Sequence, residues 1–166
     1  MNFKKILALT IVVLAVFCCL NVASAGIFDF LGGGEETVAN ETFSFSGFTL
    51  DFPNGTAVIN DSYTTPSGIE VNSYIVSTGE ATYTVEVSHG SEMVTSSQEY
   101  AHNMVDNHGA SVGNSYGNWT VINFTSVENS TYSDYILANY IDGTLFEIQG
   151  DDLDQMKSII DTFKKE

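Results

Sequence analysis

Six asparagines stand in the acceptor pattern Asn-x-Ser/Thr: Asn40, Asn54, Asn60, Asn118, Asn123 and Asn129, never with proline between. The chemistry this triplet supports is N-glycosylation of the asparagine amide, which needs a surface position on an exported chain. Six is roughly twice what chance gives in a chain this rich in Asn, Ser and Thr. Asn40, Asn54, Asn60 and Asn129 fall in predicted loops, Asn118 just before a strand and Asn123 inside one, which makes Asn123 the poorest acceptor.

Two clusters have residue types that suit a metal. His102 and Asp106 are four residues apart, so both share one helix face, and His108 follows one to two turns on, with His89 as a distant fourth candidate. Asp151, Asp152 and Asp154 follow Gly150 in a run that could favour calcium. An EF-hand loop would close on Glu at position 162, which is Thr162. Dipole and capping arguments account for the same residues without a metal: His108 at a helix C-terminus and three acids at a helix start. No cofactor is therefore expected, with calcium the only one in view. The chain has no Gly-x-Ser-x-Gly elbow, no His-Glu-x-x-His and no phosphate-cradling glycine loop, so no catalytic residue is assigned.

The leader decides where these groups work. Lys4 and Lys5, the apolar run Ile6 to Leu20 and the small-residue exit Ala23-Ser24-Ala25 read as a signal peptide over 1–25, cleaved between Ala25 and Gly26. Uncleaved, Ile6 to Phe28 would approach the roughly 20 residues of a membrane anchor. Cys18 and Cys19 leave a lipoprotein as a third alternative. They are the only two cysteines, so cleavage removes every thiol and the exported domain folds without disulfides. Localisation is expected to be extracellular or at the cell surface. The partner would be an unidentified protein or cell-envelope component, with membrane contact only through an uncleaved leader.

Charge narrows the partners further. Of 166 residues, 21 are acidic and 5 are lysine, with no arginine, for a net −16. Such a surface repels nucleic acid and lacks the forked donors that grip phosphate. It favours cations and basic partners.

The elements that must position these groups follow from periodicity. Residues 26–41 read as a Gly/Glu-rich tether around Gly32-Gly33-Gly34-Glu35-Glu36. A single domain spans 42–166. Phe43 and Phe45 alternate with polar residues, then Phe48, Leu50 and Phe52 take over after Gly47, a phase change that predicts a bulge or tight turn. Pro53-Asn54-Gly55 is a turn, and Thr56 to Ile59 a short strand before a polar loop to Gly68. Ile69 to Thr78 and Ala81 to Ser88 form a hairpin across Gly79-Glu80, with Ala81, Tyr83, Val85 and Val87 inward and Thr82, Thr84, Glu86 and Ser88 facing water.

Ser96-Ser97-Gln98-Glu99 is a capping box opening a helix that runs to His108 and stops at Gly109. Its apolar stripe is Tyr100, Ala101, Met104 and Val105. Trp119 to Ser126 is a strand, and Tyr132 to Ile141 and Thr144 to Gln149 pair across Asp142-Gly143. Asp152 to Lys165 closes the chain as a helix. The expected class is α+β: a mostly antiparallel sheet of about seven strands with two helices packed on it.

Phe48-Thr49-Leu50-Asp51-Phe52-Pro53 resembles the strand-then-proline opening of PsbP-like domains. Gly143 to Gly150 followed by Met156 to Lys164 resembles that family's last strand and helix. The resemblance spans residues 42 to 166. It implies an α-β-α sandwich with binding or assembly roles and no chemistry of its own, and it carries over no site residue. The expected function is an exported, N-glycosylated, non-enzymatic binding or structural module. An extracellular domain that binds divalent cations is the second reading, and a small hydrolase the third.

Overall fold

The computed structural model describes residues 40–90, 94–128 and 130–166. The signal peptide, the Ala25–Gly26 junction, Cys18, Cys19 and all of the tether before Asn40 lie outside the described residues, as does Asn129. Eleven strands and two helices form among the described residues, so the α+β class holds while the count of about seven strands was too low. No described helix is long and apolar enough to cross a membrane.

The strands make two antiparallel sheets. The smaller contains β1 (Asn40–Phe45), β2 (Phe48–Pro53) and β11 (Lys164–Lys165), with β2 central. The larger runs β3 (Ala57–Asn60), β5 (Glu70–Ser77), β6 (Thr82–His89), β10 (Thr144–Gly150), β9 (Tyr135–Ile141), β8 (Thr120–Asn123) and β7 (Ser111–Val112). Strand β4 (Tyr63–Thr64) also pairs with β5. Asn40 and Glu41 are thus strand residues opposite Pro53 and Phe52 rather than the end of a tether.

Turn chemistry explains the hairpins. Gly79, at φ 83°, takes the first place of the β5–β6 turn, which closes with Thr78 N–H donating to Ala81 C=O at 3.0 Å. Asp142 and Gly143 both have positive φ, 50° and 82°, the requirement of a type I′ turn between β9 and β10. Ser46 and Gly47 do the same at 50° and 91°. The phase change there is therefore a full chain reversal, and the two sets of phenylalanines lie on paired strands, Phe45 opposite Phe48.

The large sheet buries both faces, each against a different helix. Against one face lie Phe48, Leu50 and Phe52 of the small sheet, with Met156, Ile159 and Ile160 of α2 (Leu153–Ile160), on Val85, Val87, Leu137, Phe146 and Ile148. Phe163 joins this core, stacked on Phe48 at 5.4 Å and edge-on to Trp119 at 5.1 Å. Against the other face, Ala101 and Met104 of α1 (Ser97–His108) pack on Ile122, Ile136, Ala138 and Leu145. Strand β10, between β6 and β9, is consequently buried along nearly its whole length.

Several boundaries move for identifiable reasons. Helix α2 ends at Ile160 rather than Lys165, because Thr162 Oγ1 donates to Ile159 C=O at 2.6 Å while accepting from Asp51 N–H at 2.8 Å. That pair of hydrogen bonds turns the chain onto β2, so Lys164 and Lys165 form a strand instead of a helix end. Strand β8 stops at Asn123, whose Oδ1 accepts from Thr125 N–H at 2.8 Å and folds the chain away. Strand β9 starts at Tyr135, not Tyr132. In β6, Ser88 is buried and Glu86 half-buried, so that face is not simply wetted. The Ser96 cap accepts from Glu99 N–H at 3.1 Å as the capping box requires, but Glu99 Oε2 reaches back to Thr95 N–H at 2.7 Å rather than to Ser96.

Candidate functional site

The strongest concentration of titratable groups is one that sequence reasoning missed. Glu86 of β6 and Glu147 of β10 are direct cross-strand partners, and strand geometry puts such Cβ atoms about 5 Å apart on one face. This is the α1 face. Tyr100 of α1 donates its hydroxyl to Glu147 Oε2 at 2.5 Å, and Ser73 of β5 donates to Glu86 Oε1 at 3.0 Å. Glu147 is 3% exposed.

Burial pushes the Glu147 carboxyl up to about 8, against the Tyr100 hydrogen bond and with help from the Glu86 charge. Burial also raises Glu86, which the Ser73 hydrogen bond offsets in part. The tyrosines nearby feel both acids. Burial and then Glu147 raise Tyr100; burial, Glu86 and Glu147 raise Tyr63; burial, Glu147 and Glu86 raise Tyr132. The outcome is a carboxyl that holds its proton at neutral pH beside one in a wetter setting. Such a pair can donate and accept protons, yet neither acid lines any of the three clefts described below.

The signal for Glu147 was in the sequence: an acid inside Thr144-Leu145-Phe146-Glu147-Ile148, an otherwise apolar run in a strand covered on both sides. Tyr100 was read as part of an apolar stripe, and its hydroxyl is what faces Glu147.

The three aspartates of the calcium reading have separate occupations. Asp151 Oδ1 accepts from Asp134 N–H at 3.1 Å, and Asp152 Oδ1 caps α2 by accepting from Asp154 N–H and Gln155 N–H, both at 3.0 Å. Asp154 pairs with Lys157 at 3.0 Å. Asp151 and Asp152 do line one cleft of ≈ 660 Å³ with Glu80, Thr82 and Gln155. A second cleft of ≈ 490 Å³ shares Glu80 and Gln155 and adds Asn40, Asp51 and Tyr83, whose hydroxyl donates to Gln155 Oε1 at 2.7 Å.

His102, Asp106 and His108 are exposed on α1, and the His108 ring rests edge-on against Tyr132 at 5.1 Å. His89 lies at the end of β6, with Nδ1 3.1 Å from Thr144 Oγ1. Among the described residues no three His, Cys, Asp or Glu side chains gather where they could hold a metal ion.

Four sequon asparagines, Asn40, Asn54, Asn60 and Asn118, are exposed. Asn54 and Asn118 lie in turns, whereas Asn40 opens β1 and Asn60 closes β3, so those two are strand ends rather than loop residues. Asn123 is half-buried and its Oδ1 is held by the hydroxyl of its own sequon's Thr125 at 2.7 Å. No family model, curated protein or solved structure matches the chain.

Proposed function

We propose that the chain is an exported, N-glycosylated, non-enzymatic binding module of the extracellular space or cell surface, built on a PsbP-like sandwich. The observation that carries this reading is the placement of the acceptor asparagines: Asn40, Asn54, Asn60 and Asn118 project from separate exposed turns and strand ends, open to a transferase. The signal-peptide pattern at Lys4 to Ala25 supports export, and the sequence segments Phe48 to Pro53, Gly143 to Gly150 and Met156 to Lys164 carry the resemblance to PsbP-like domains.

Intact mass of the chain recovered from outside the cell tests it. The expected result is a polypeptide beginning at Gly26 with glycans on Asn40, Asn54, Asn60 and Asn118 and none on Asn123. A full-length, sugar-free chain in the cytosol would sink the reading.

The acidic surface, net −16 with no arginine, favours a second reading, extracellular binding of divalent cations. Thermal melting with and without calcium separates the two, since ligand at a hundredfold its Kd adds about 2.7 kcal/mol.

A further inference from the structure

Few groups hold α1 to the large sheet. The helix fully buries only Ser97, Ala101 and Met104, the last two in the cluster with Ile122, Ile136, Ala138 and Leu145. Thr120 Oγ1 donates to Ser97 Oγ at 2.9 Å and ties the first turn to β8. The remaining tie is Tyr100 to Glu147, which reaches past β9 to β10. The opposite face is anchored more heavily. There α2 buries Met156, Ile159 and Ile160, the small sheet adds three more large side chains, and Thr162 fastens the end of α2 to β2.

The groups facing the Glu147 carboxyl are all neutral or acidic. Glu86 stands opposite it on β6, with Ser73 of β5 behind, and Ala138 is its neighbour on β9. Tyr100 meets it from α1, while Tyr63 of β4 and Tyr132 of the segment before β9 lie within its field. The other titratable groups of those two covering elements, Glu99, His102, Asp106 and His108 of α1 and Glu128 and Asp134 of the segment, are exposed. The lysines among the described residues belong to α2 and β11, elements of the opposite face. A third cleft, of ≈ 610 Å³ at the first turn of α1, is lined by Ser96, Ser97 and Gln98 but by neither acid, so Glu147 stays shut under the helix.

We propose that α1 is a proton-controlled lid: loss of the Glu147 proton to solvent lifts the helix off the large sheet, while α2, the small sheet and their core stay folded. Once ionised in place, Glu147 has one donor, Tyr100, no cation and a second carboxyl across the strands. A buried charge so poorly compensated is strongly destabilising. Lifting α1 hydrates both acids at the loss of two buried apolar side chains, the smallest opening that does so. The lid works independently of export and of glycosylation.

The direction in pH follows from the closed carboxyl, which burial holds up at about 8, against about 4.3 when hydrated. The closed form is most favoured below the hydrated value. Above it the open population rises about tenfold per pH unit and levels off beyond pH 8.

Hydrogen exchange of the intact protein between pH 5 and 9, corrected for the intrinsic rate at each pH, tests the lid. Amides from Tyr100 to His108 are expected to show that rise and its plateau, with the weak urea dependence of a local opening. Amides of β2 and β6 are expected to keep the steep urea dependence of whole-domain unfolding. Glu147→Gln is expected to remove most of the rise in α1. Glu86→Gln is expected to keep the rise but level off at lower pH, because one of the influences that raise Glu147 is gone. Opening of α1 that ignores pH, or that shares the urea dependence of the core, overturns the proposal. So does a Glu147→Gln chain with the parent's rise, or a Glu86→Gln chain with an unmoved plateau.

Discussion

Tyr100 on α1 donates a 2.5 Å hydrogen bond to Glu147 on β10, joining the helix to the most buried strand of the large sheet through a carboxyl that keeps its proton at neutral pH. Glu86 faces the same carboxyl across the strands, while Tyr63 and Tyr132 stand within its field.

The pH dependence of stability follows from that raised carboxyl. An unfolded glutamate ionises near 4.3, whereas folded Glu147 does so at about 8. Its contribution is fully present below the unfolded value and is lost as pH rises towards 8, because over that interval the unfolded chain releases a proton that the folded one retains. The loss is on the order of 5 kcal/mol. Denaturant melts between pH 4 and 9 are expected to show this decline, and Glu147→Gln to flatten it and to be the more stable protein at pH 8. A variant with the parent's pH profile would contradict the assignment.

Tyr100→Phe removes the one contact that lowers Glu147. The carboxyl midpoint is expected to move above 8, and stability to fall by about 1–3 kcal/mol from the partner left unpaired. Carboxyl carbon NMR titration of Glu147 reads the first and a urea melt the second.

Gly150→Ala is expected to cost about 1–3 kcal/mol through overpacking. An added Cβ would come 2.8 Å from Tyr83 Cδ1 and 3.2 Å from Met156 Sδ. The ring is not free to step aside, because its hydroxyl is bonded to Gln155. The urea midpoint is expected to drop with an unchanged slope.

Asp152→Ala removes the two bonds that cap α2 and is expected to cost about 1 kcal/mol. The same loss of Tm with and without calcium identifies Asp152 as a cap. A loss that appears only in calcium identifies it as a ligand and favours the cation reading.

The hairpins at Gly79-Glu80 and Asp142-Gly143 were legible in the sequence because their glycines stand where the turns need positive φ. The Ser46-Gly47 reversal was half hidden, since serine is an uncommon host for φ 50° and the phase change alone did not separate a bulge from a turn. Strand β11 was not legible at all. Two lysines have no strand pattern, and they pair with Thr49 and Phe48 only because Thr162 ends α2 against β2. The acceptor asparagines could be read as a motif, but their exposure is a property of the folded surface. Glu147 drew no assignment from the sequence, because only the helix laid over its face shows that the acid in that apolar run is buried.

The small sheet has a mechanical consequence. Strands β1 and β11 both run antiparallel to β2, so they point the same way, with Asn40 beside Pro53 at one end and Glu166 bonded to Gly47 at the other. Tension applied between Asn40 and Glu166 slides these outer strands in opposite directions along β2, loading the rungs in shear together instead of peeling them one after another. A domain strung between a surface and a load by those two points would resist extension along its strongest axis.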